Sequence, residues 1–243
     1  MAGSNEKIWI IGGSAGIGAA LAEAYAQRGA TLVLSGRDQA ALDQQVAKLG
    51  PGHSGAEADI GDRESLERVA RQFGPFERVI VTAAIYDPGP VMQADADKAA
   101  KIFATNLGGT FNAVRAAVPS LRQGGQLVLF GSAAAIFGLP NGQVYSATKA
   151  GIVNLAQSLR SELWPAVDTR LASPGFVRPR LTDQNTFAMP AMLEVEDAAA
   201  RIIKGLDGKR FEIAFPRRLI WPLRLLARLP HAIAFALAGR LKG

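Results

Sequence analysis

The stretch Lys7-Ile8-Trp9-Ile10-Ile11-Gly12-Gly13-Ser14-Ala15-Gly16-Ile17-Gly18 decides the fold. A short apolar run reads as a strand over Lys7–Gly12, and a helical pattern begins at Gly16 and continues to Gly29. The glycines between them allow a tight turn and close approach of the backbone to a phosphate. The helix start supplies free N–H groups and the positive end of a dipole to an anion such as a pyrophosphate. The spacing is Gly12-x-x-x-Gly16-x-Gly18, not the commoner Gly-x-Gly-x-x-Gly.

The same alternation continues outward. Strands are expected at Thr31–Ser35, Ser54–Ala58, Arg78–Thr82, Gln126–Phe130, Asp168–Ser173 and Arg210–Phe215. Helices are expected at Asp38–Leu49, Asp62–Phe73, Ala94–Ser120 as one long element, Tyr145–Leu163 and Val195–Leu206. Seven strands alternating with six helices require crossover connections, which predicts an α/β doubly wound three-layer sandwich around a seven-stranded parallel sheet.

Further motifs stand in a fixed order around this frame. Tyr145-Ser146-Ala147-Thr148-Lys149 opens a helix, and the four-residue spacing puts Tyr145 and Lys149 on one face. A free tyrosine titrates near 10 and is a poor base at neutral pH, so an adjacent ammonium is expected to lower that value. Ser132, in Gly131-Ser132-Ala133, ends the preceding strand 13 residues earlier, and Asn106 lies in Thr105-Asn106-Leu107-Gly108. With this glycine spacing, the chain resembles the short-chain dehydrogenase/reductase family over nearly its whole length.

The resemblance implies a Rossmann-like fold, a nicotinamide cofactor, and hydride transfer between that cofactor and a carbonyl or secondary alcohol. Its implied catalytic residues are Asn106, Ser132, Tyr145 and Lys149: Tyr145 as acid or base, Ser132 on the reacting oxygen, Lys149 on the ribose hydroxyls, and Asn106 in a proton relay. The implied cofactor contacts are Gly12, Ser14, Gly16, Ile17 and Gly18 in the turn, then Asp59 and Ile60 at the adenine. Ala83 and Ala84 follow, then Tyr145 and Lys149, and then Pro174, Gly175 and Val177 against the nicotinamide. Gly36 stands where members preferring NAD often carry an acid, and Arg37 beside it can pair with a 2′-phosphate, so NADP is expected over NAD. The segment Val81-Thr82-Ala83-Ala84-Ile85 departs from the family's Asn-Asn-Ala-Gly, with Thr82 available as a substitute hydroxyl. The threonine usual after the sixth strand is also missing, leaving Arg178-Pro179-Arg180 and, further on, Thr182.

Composition bounds what else the chain can be. It has 243 residues, 49% hydrophobic and 20% charged, enough apolar material for a sizeable core and far from a disordered composition. The absence of cysteine excludes disulfides, thiolate metal sites and cysteine nucleophiles, and two distant histidines, His53 and His231, offer no metal site. The net charge of +6 lies wholly in residues 210–243, because residues 1–209 carry 20 basic and 20 acidic side chains. A nucleic-acid partner therefore has little support. No secretory signal or membrane-spanning stretch is read, and a cytoplasmic protein is expected.

Residues 1–215 are expected to form the catalytic domain, with a substrate lid at about 176–193 that offers Phe176, Phe187, Met189, Met192 and Leu193 to an apolar small molecule. Phe137 and Tyr86 are expected nearby. Residues 216–243 read as a basic amphipathic helical extension, with Pro222 and Pro230 each opening a helix. Its Arg217, Arg224 and Arg228 share one side, and Leu219, Leu223, Leu226 and Leu229 the other. Peripheral membrane contact is one expectation for it, and packing of the leucines on the domain or on a second subunit is the other. The family implies a homodimer or homotetramer. A non-catalytic NADP-binding sensor or scaffold on the same fold is the alternative function, disfavoured because Ser132, Tyr145 and Lys149 are all present. An epimerase or dehydratase of the extended relatives would need a larger C-terminal substrate domain.

Overall fold

The computed structural model describes residues 6–178 and 191–240. The sheet has seven parallel strands in the order β3-β2-β1-β4-β5-β6-β7. Their ranges are β1 Lys7–Ile11, β2 Thr31–Gly36, β3 Ser54–Glu57, β4 Phe76–Val81, β5 Leu121–Phe130, β6 Val167–Pro174 and β7 Glu212–Phe215. Between them lie α1 Gly16–Gln27, α2 Gln39–Leu49, α3 Arg63–Phe73, α4 Ala96–Ile102, α5 Gly109–Ala117, α6 Gln143–Leu163 and α7 Val195–Leu206. Two helices follow the last strand, α8 Arg217–Leu226 and α9 His231–Gly239.

Strand β1 shows why the sheet is covered on both sides. Alternate side chains leave opposite faces of a strand, and here every apolar one is buried. Ile8 and Ile10 enter a core with Leu32, Leu34 and Val128 beneath α1 and α7. Trp9 and Ile11 enter a second core with Val33, Val79 and Leu129 beneath α3, α5 and α6. The polar edge of Trp9 is satisfied inside, its Nε1 donating to Ser35 Oγ at 3.0 Å. Burying such an indole without that acceptor would cost about 1–3 kcal/mol.

Helix starts follow the acidic caps written in the sequence. Asp38 accepts from Ala41 N, Asp62 from Glu64 N and Asp95 from Lys98 N, each at 2.8–3.0 Å. Such caps are worth roughly 1 kcal/mol apiece.

Two expectations need correction. The single helix over Ala94–Ser120 is instead α4 and α5 joined through a π-helical turn, Phe103–Gly108, with a closing 3₁₀ turn at Val118–Ser120. A helical pattern in sequence does not distinguish one extra residue per turn. Pro222 does not open a helix: it sits inside α8, where Arg217 is the first residue and Pro216 the cap, while Pro230 caps α9. The leucine side of α8 lies against the domain, since Ile220 and Leu223 are buried with Ala133 and touch Ile136, Leu139 and Leu219. No helix among the described residues is long and apolar enough to cross a membrane.

Candidate active site

The strand order reverses between β1 and β4, and ligand crevices in such sheets open at the carboxyl ends of the strands beside that point. The first wall is the glycine turn. A Cβ on Gly18 would lie 2.1 Å from Gly12 O, and Gly12 itself has φ +95, so neither position accepts a larger residue. Gly16 differs: its φ is +56, but a Cβ there would meet nothing within 4 Å. Ala15 supplies no side-chain cap to α1 and the first turn holds no acid, so the helix start presents its N–H groups to the crevice. Those features fit the phosphates of a dinucleotide.

Thr82 braces this turn from β4. Its Oγ1 lies 3.0 Å from Ile11 O and 3.1 Å from Gly12 O, donating to backbone. The hydroxyl expected to substitute for a missing asparagine is therefore committed to holding the turn's shape. Ala83 N adds a bond to Ile11 O at 3.1 Å, and Ala84 follows it, half-buried.

At the end of β2, a Cβ on Gly36 would sit 3.4 Å from Ser14 Oγ, which brings Ser14, Gly36 and the exposed Arg37 to one corner. Among the described residues no carboxylate pairs with Arg37. Asp59, exposed after β3, turns Oδ1 to Gly61 N at 2.8 Å. Ile60 is buried against Gly109, where even a methyl group would come within 2.9 Å of it.

The second wall holds the reactive groups. Ser132 follows β5, its Oγ accepts from Ala134 N at 3.1 Å, and its side chain favours the phenolate of Tyr145. Lys149, one turn along α6, is buried, lies 5.5 Å from the Tyr145 ring centre, and donates to Phe130 O at 2.9 Å. Tyr86 meets Tyr145 edge-on at 4.7 Å. The expected lowering of the phenol is not what this environment produces. Although the Tyr145 ring keeps some solvent contact, the protein around it disfavours the phenolate and pushes the phenol up to about 12, against a smaller opposing effect of the Ser132 side chain. Burial likewise brings Lys149 down to about 8.

Asn106 is fully buried in the π-helical turn. Its Oδ1 accepts from Ile85 N at 2.8 Å, and Nδ2 donates to Ile85 O at 2.9 Å and Thr148 Oγ1 at 3.3 Å. Thr148 in turn donates to Tyr145 O at 2.7 Å. Asn106 thus ties the Tyr86 loop to the second turn of α6, a link that residue spacing alone does not reveal. Gln143 is a further residue that the sequence did not single out. It lies two positions before Tyr145, and its buried Oε1 finds no hydrogen-bond partner among the described residues.

After β6, Pro174 is buried and Gly175 N donates to Phe215 O at 2.7 Å. A Cβ on Gly175 would lie 2.7 Å from Leu219 Cδ2, so this glycine lets α8 approach. Val177 bridges to Leu193, and Arg178 N reaches Leu193 O at 2.9 Å, which joins the two ends of the expected lid. Arg178 also pairs with Glu194 at 3.6 Å. The rest of the lid, with Pro179, Arg180, Thr182, Phe187 and Met189, lies outside the described residues.

Fold and crevice together define a nucleotide-binding oxidoreductase architecture of the Rossmann kind. The family model for short chain dehydrogenase matches residues 6–189, and the chain belongs to that family: it is an oxidoreductase interconverting CH–OH and C=O with a nicotinamide cofactor. It is 34% identical to 2-(S)-hydroxypropyl-CoM dehydrogenase 3 of Xanthobacter autotrophicus, covering 97% of this chain and 96% of that one. A short chain dehydrogenase from Burkholderia cenocepacia, solved in complex with NADP, is similar at 26% identity with TM-score 0.86, over 99% of this chain and 98% of that one. A short chain dehydrogenase/reductase from Burkholderia phymatum, solved with NAD, shares the fold at 23% identity with TM-score 0.84, over 93% and 94% of the two chains.

Proposed function

We propose that the protein is an NADP-dependent carbonyl reductase or alcohol dehydrogenase acting on apolar small molecules. The observation that carries this reading is the buried Lys149 ammonium 5.5 Å from the Tyr145 ring, with Ser132 acting on the same phenol. When bound, the nicotinamide cofactor supplies or accepts the hydride. Gly12, Ser14, Gly16, Ile17 and Gly18 would hold its phosphates, Asp59 and Ile60 its adenine, and Pro174, Gly175 and Val177 its nicotinamide. Ala83 and Ala84 line the path between, and Tyr145 and Lys149 hold the adjoining ribose.

In reduction, Tyr145 donates its phenolic proton to the substrate oxygen as the carbonyl becomes an alcohol. Ser132 Oγ donates a hydrogen bond to the same oxygen and stabilises the charge developing on it. A phenol held high is fully protonated at neutral pH, which suits Tyr145 to the role of acid. Lys149, held beside the Tyr145 ring, offsets as a cation the charge of the phenolate left behind, and the phenolate regains its proton from solvent. Asn106 fixes the Tyr86 loop against α6 through Ile85 and Thr148 and keeps one Oδ1 lone pair for a role in returning the proton from solvent. Ser14 and Arg37 supply donors for a 2′-phosphate, with no acid at position 36 to repel it.

The substrate side is aromatic and aliphatic, with Tyr86 against Tyr145 and Phe137 in the loop after Ser132. A homodimer or homotetramer is supported by Phe103 and Phe111, which are 45% and 52% exposed along the α4–α5 pair. We place the protein in the cytoplasm, with residues 1–215 as the catalytic domain and residues 216–243 as an extension in peripheral contact with a membrane. The test is turnover of apolar carbonyls with NADPH by the wild type and by Ser132→Ala, for which a drop in kcat of at least about a hundredfold is expected. Unchanged turnover in that variant would refute the assignment.

A further inference from the structure

The outward side of α8 is neither a simple solvated surface nor a spare core face. On α8, Arg217, Trp221, Arg224 and Leu225 are exposed while Ile220 and Leu223 are buried, and the exposed Arg228 follows in the turn after the helix. Trp221 is 70% exposed and Leu225 64%, in the middle of this row of arginines. The next helix, α9, buries only Ala234 and Ala238 and leaves Ile233, Phe235 and Leu237 exposed. Scattered single apolar residues on a surface need no explanation, but five on two consecutive helices do.

Charge decides what covers them. Residues 216–243 hold six basic side chains and no acid. Among the described residues only Arg224 is paired, with Glu212 at 2.6 Å, and Arg217, Arg218, Arg228 and Arg240 meet no carboxylate. A two-fold contact of this face with a second copy would set arginines against arginines. A lipid surface with anionic headgroups offers the opposite sign to the arginines and an apolar layer just below for the tryptophan and leucine.

The inward side of α8 and the α9 ring Phe235 border the site. Ile220 and Leu223 pack on Ala133, the residue after Ser132, and the Phe235 ring lies 5.9 Å from that of Phe137 in the same loop. That loop continues to Asn141, whose O accepts from Gly89 N at 3.2 Å on the Tyr86 side of the crevice. Beyond Gly89, Val91 and Met92 are 67% and 92% exposed.

We infer that α8 and α9 seat the protein on anionic membrane surfaces through Trp221 and Leu225. The seat sets the crevice beside the lipid, so that its substrate is an apolar carbonyl or alcohol dissolved in the bilayer. The first half of this inference rests on the peripheral membrane contact proposed above for residues 216–243, and the second half on the oxidoreductase reading.

The experiment uses the full chain. In a Trp164→Phe background, Trp221 is the exposed indole, because Trp9 is fully buried. Vesicles of phosphatidylcholine containing phosphatidylglycerol should shift its emission to the blue and carry the protein in flotation, at least about tenfold more strongly than pure phosphatidylcholine. Trp221→Glu/Leu225→Glu should lose that binding, as should Arg217→Gln/Arg228→Gln, which keeps the apolar face and reads the charge contribution if the first variant fails to fold. A long-chain ketone dissolved in the anionic vesicles should be reduced several-fold faster than in neutral ones, while a water-soluble ketone gains nothing. Absence of vesicle binding would overturn the docking face, as would equal binding by a folded variant. So would a concentration-dependent dimer that Trp221→Glu/Leu225→Glu dissociates. Equal rates in both vesicles would overturn the substrate assignment alone, and no turnover of either ketone would refute the oxidoreductase reading while leaving docking intact.

Discussion

Lys149 lies 5.5 Å from the ring centre of Tyr145, buried, with a backbone carbonyl, Phe130 O, as its hydrogen-bond acceptor and no carboxylate partner among the described residues. An ammonium in that position is costly to the fold, which is why its pKa falls to about 8. The unfolded chain binds that proton up to about 10.5, so below pH 8 the folded protein carries the full cost. The cost fades as pH rises from 8 to 10.5 and is gone above.

Lys149→Met should therefore raise the midpoint of thermal unfolding at pH 7, by a stabilisation on the order of 2–3 kcal/mol. The gain should shrink steadily when the same scans are run from pH 8 to pH 10. Turnover should fall by at least about a hundredfold in the same variant. A destabilised variant at pH 7 would mean that the buried cation is offset by contacts not recognised above.

The phenol of Tyr145, held at about 12, sets a direction-dependent pH profile. Carbonyl reduction needs the protonated form and should show no loss of kcat/KM from pH 6 to 9 attributable to this group. Alcohol oxidation needs the phenolate and should climb through that range. Steady-state rates in both directions check this, and a reduction rate halved near pH 7 would contradict the assignment of Tyr145 as acid.

The two ends of the glycine turn should respond differently to one methyl group. Gly18→Ala drives its Cβ onto Gly12 O and should unfold the turn, lowering stability by about 3 kcal/mol or more. Gly16→Ala meets only a left-handed φ and open space, so it should cost about 1 kcal/mol while still weakening cofactor binding, because the methyl enters the phosphate side. Denaturant titration and NADPH fluorescence separate the two outcomes.

Arg37→Asp should weaken NADPH at least about tenfold while NADH is unchanged or improved, since it exchanges a charge-assisted pair for a repulsion. Competitive fluorescence titration gives both constants. Equal losses for the two cofactors would remove Arg37 from the 2′-phosphate.

Much of this was legible in the chain. The alternation of buried apolar runs with capped helices specified the seven-stranded parallel sheet, because Ile8-Trp9-Ile10-Ile11 is apolar on both faces and only a doubly covered strand needs that. Asp38 and Asp62 marked helix starts by local chemistry that needs no tertiary knowledge. Spacing placed Tyr145 and Lys149 on one helix face. It did not foresee their titration, because burial is set by residues distant in sequence, Tyr86 among them. The π-helical turn at Asn106 escaped for a similar reason: its bonds to Ile85 and Thr148 span 21 and 42 residues. Pro222 was misplaced because proline favours a first turn, while α8 begins earlier where Ile220 and Leu223 find the domain.

The central claim, that the Ser132–Tyr145–Lys149 group reduces an apolar carbonyl with NADPH, is tested most directly by one comparison. An apolar ketone panel is followed by the loss of NADPH absorbance for the wild type and for Tyr145→Phe, with NADPH binding measured on both. The account predicts turnover by the wild type, faster with NADPH than with NADH, and a loss of at least about a thousandfold in the variant with its NADPH affinity retained. Turnover by Tyr145→Phe within a few-fold of the wild type would contradict it.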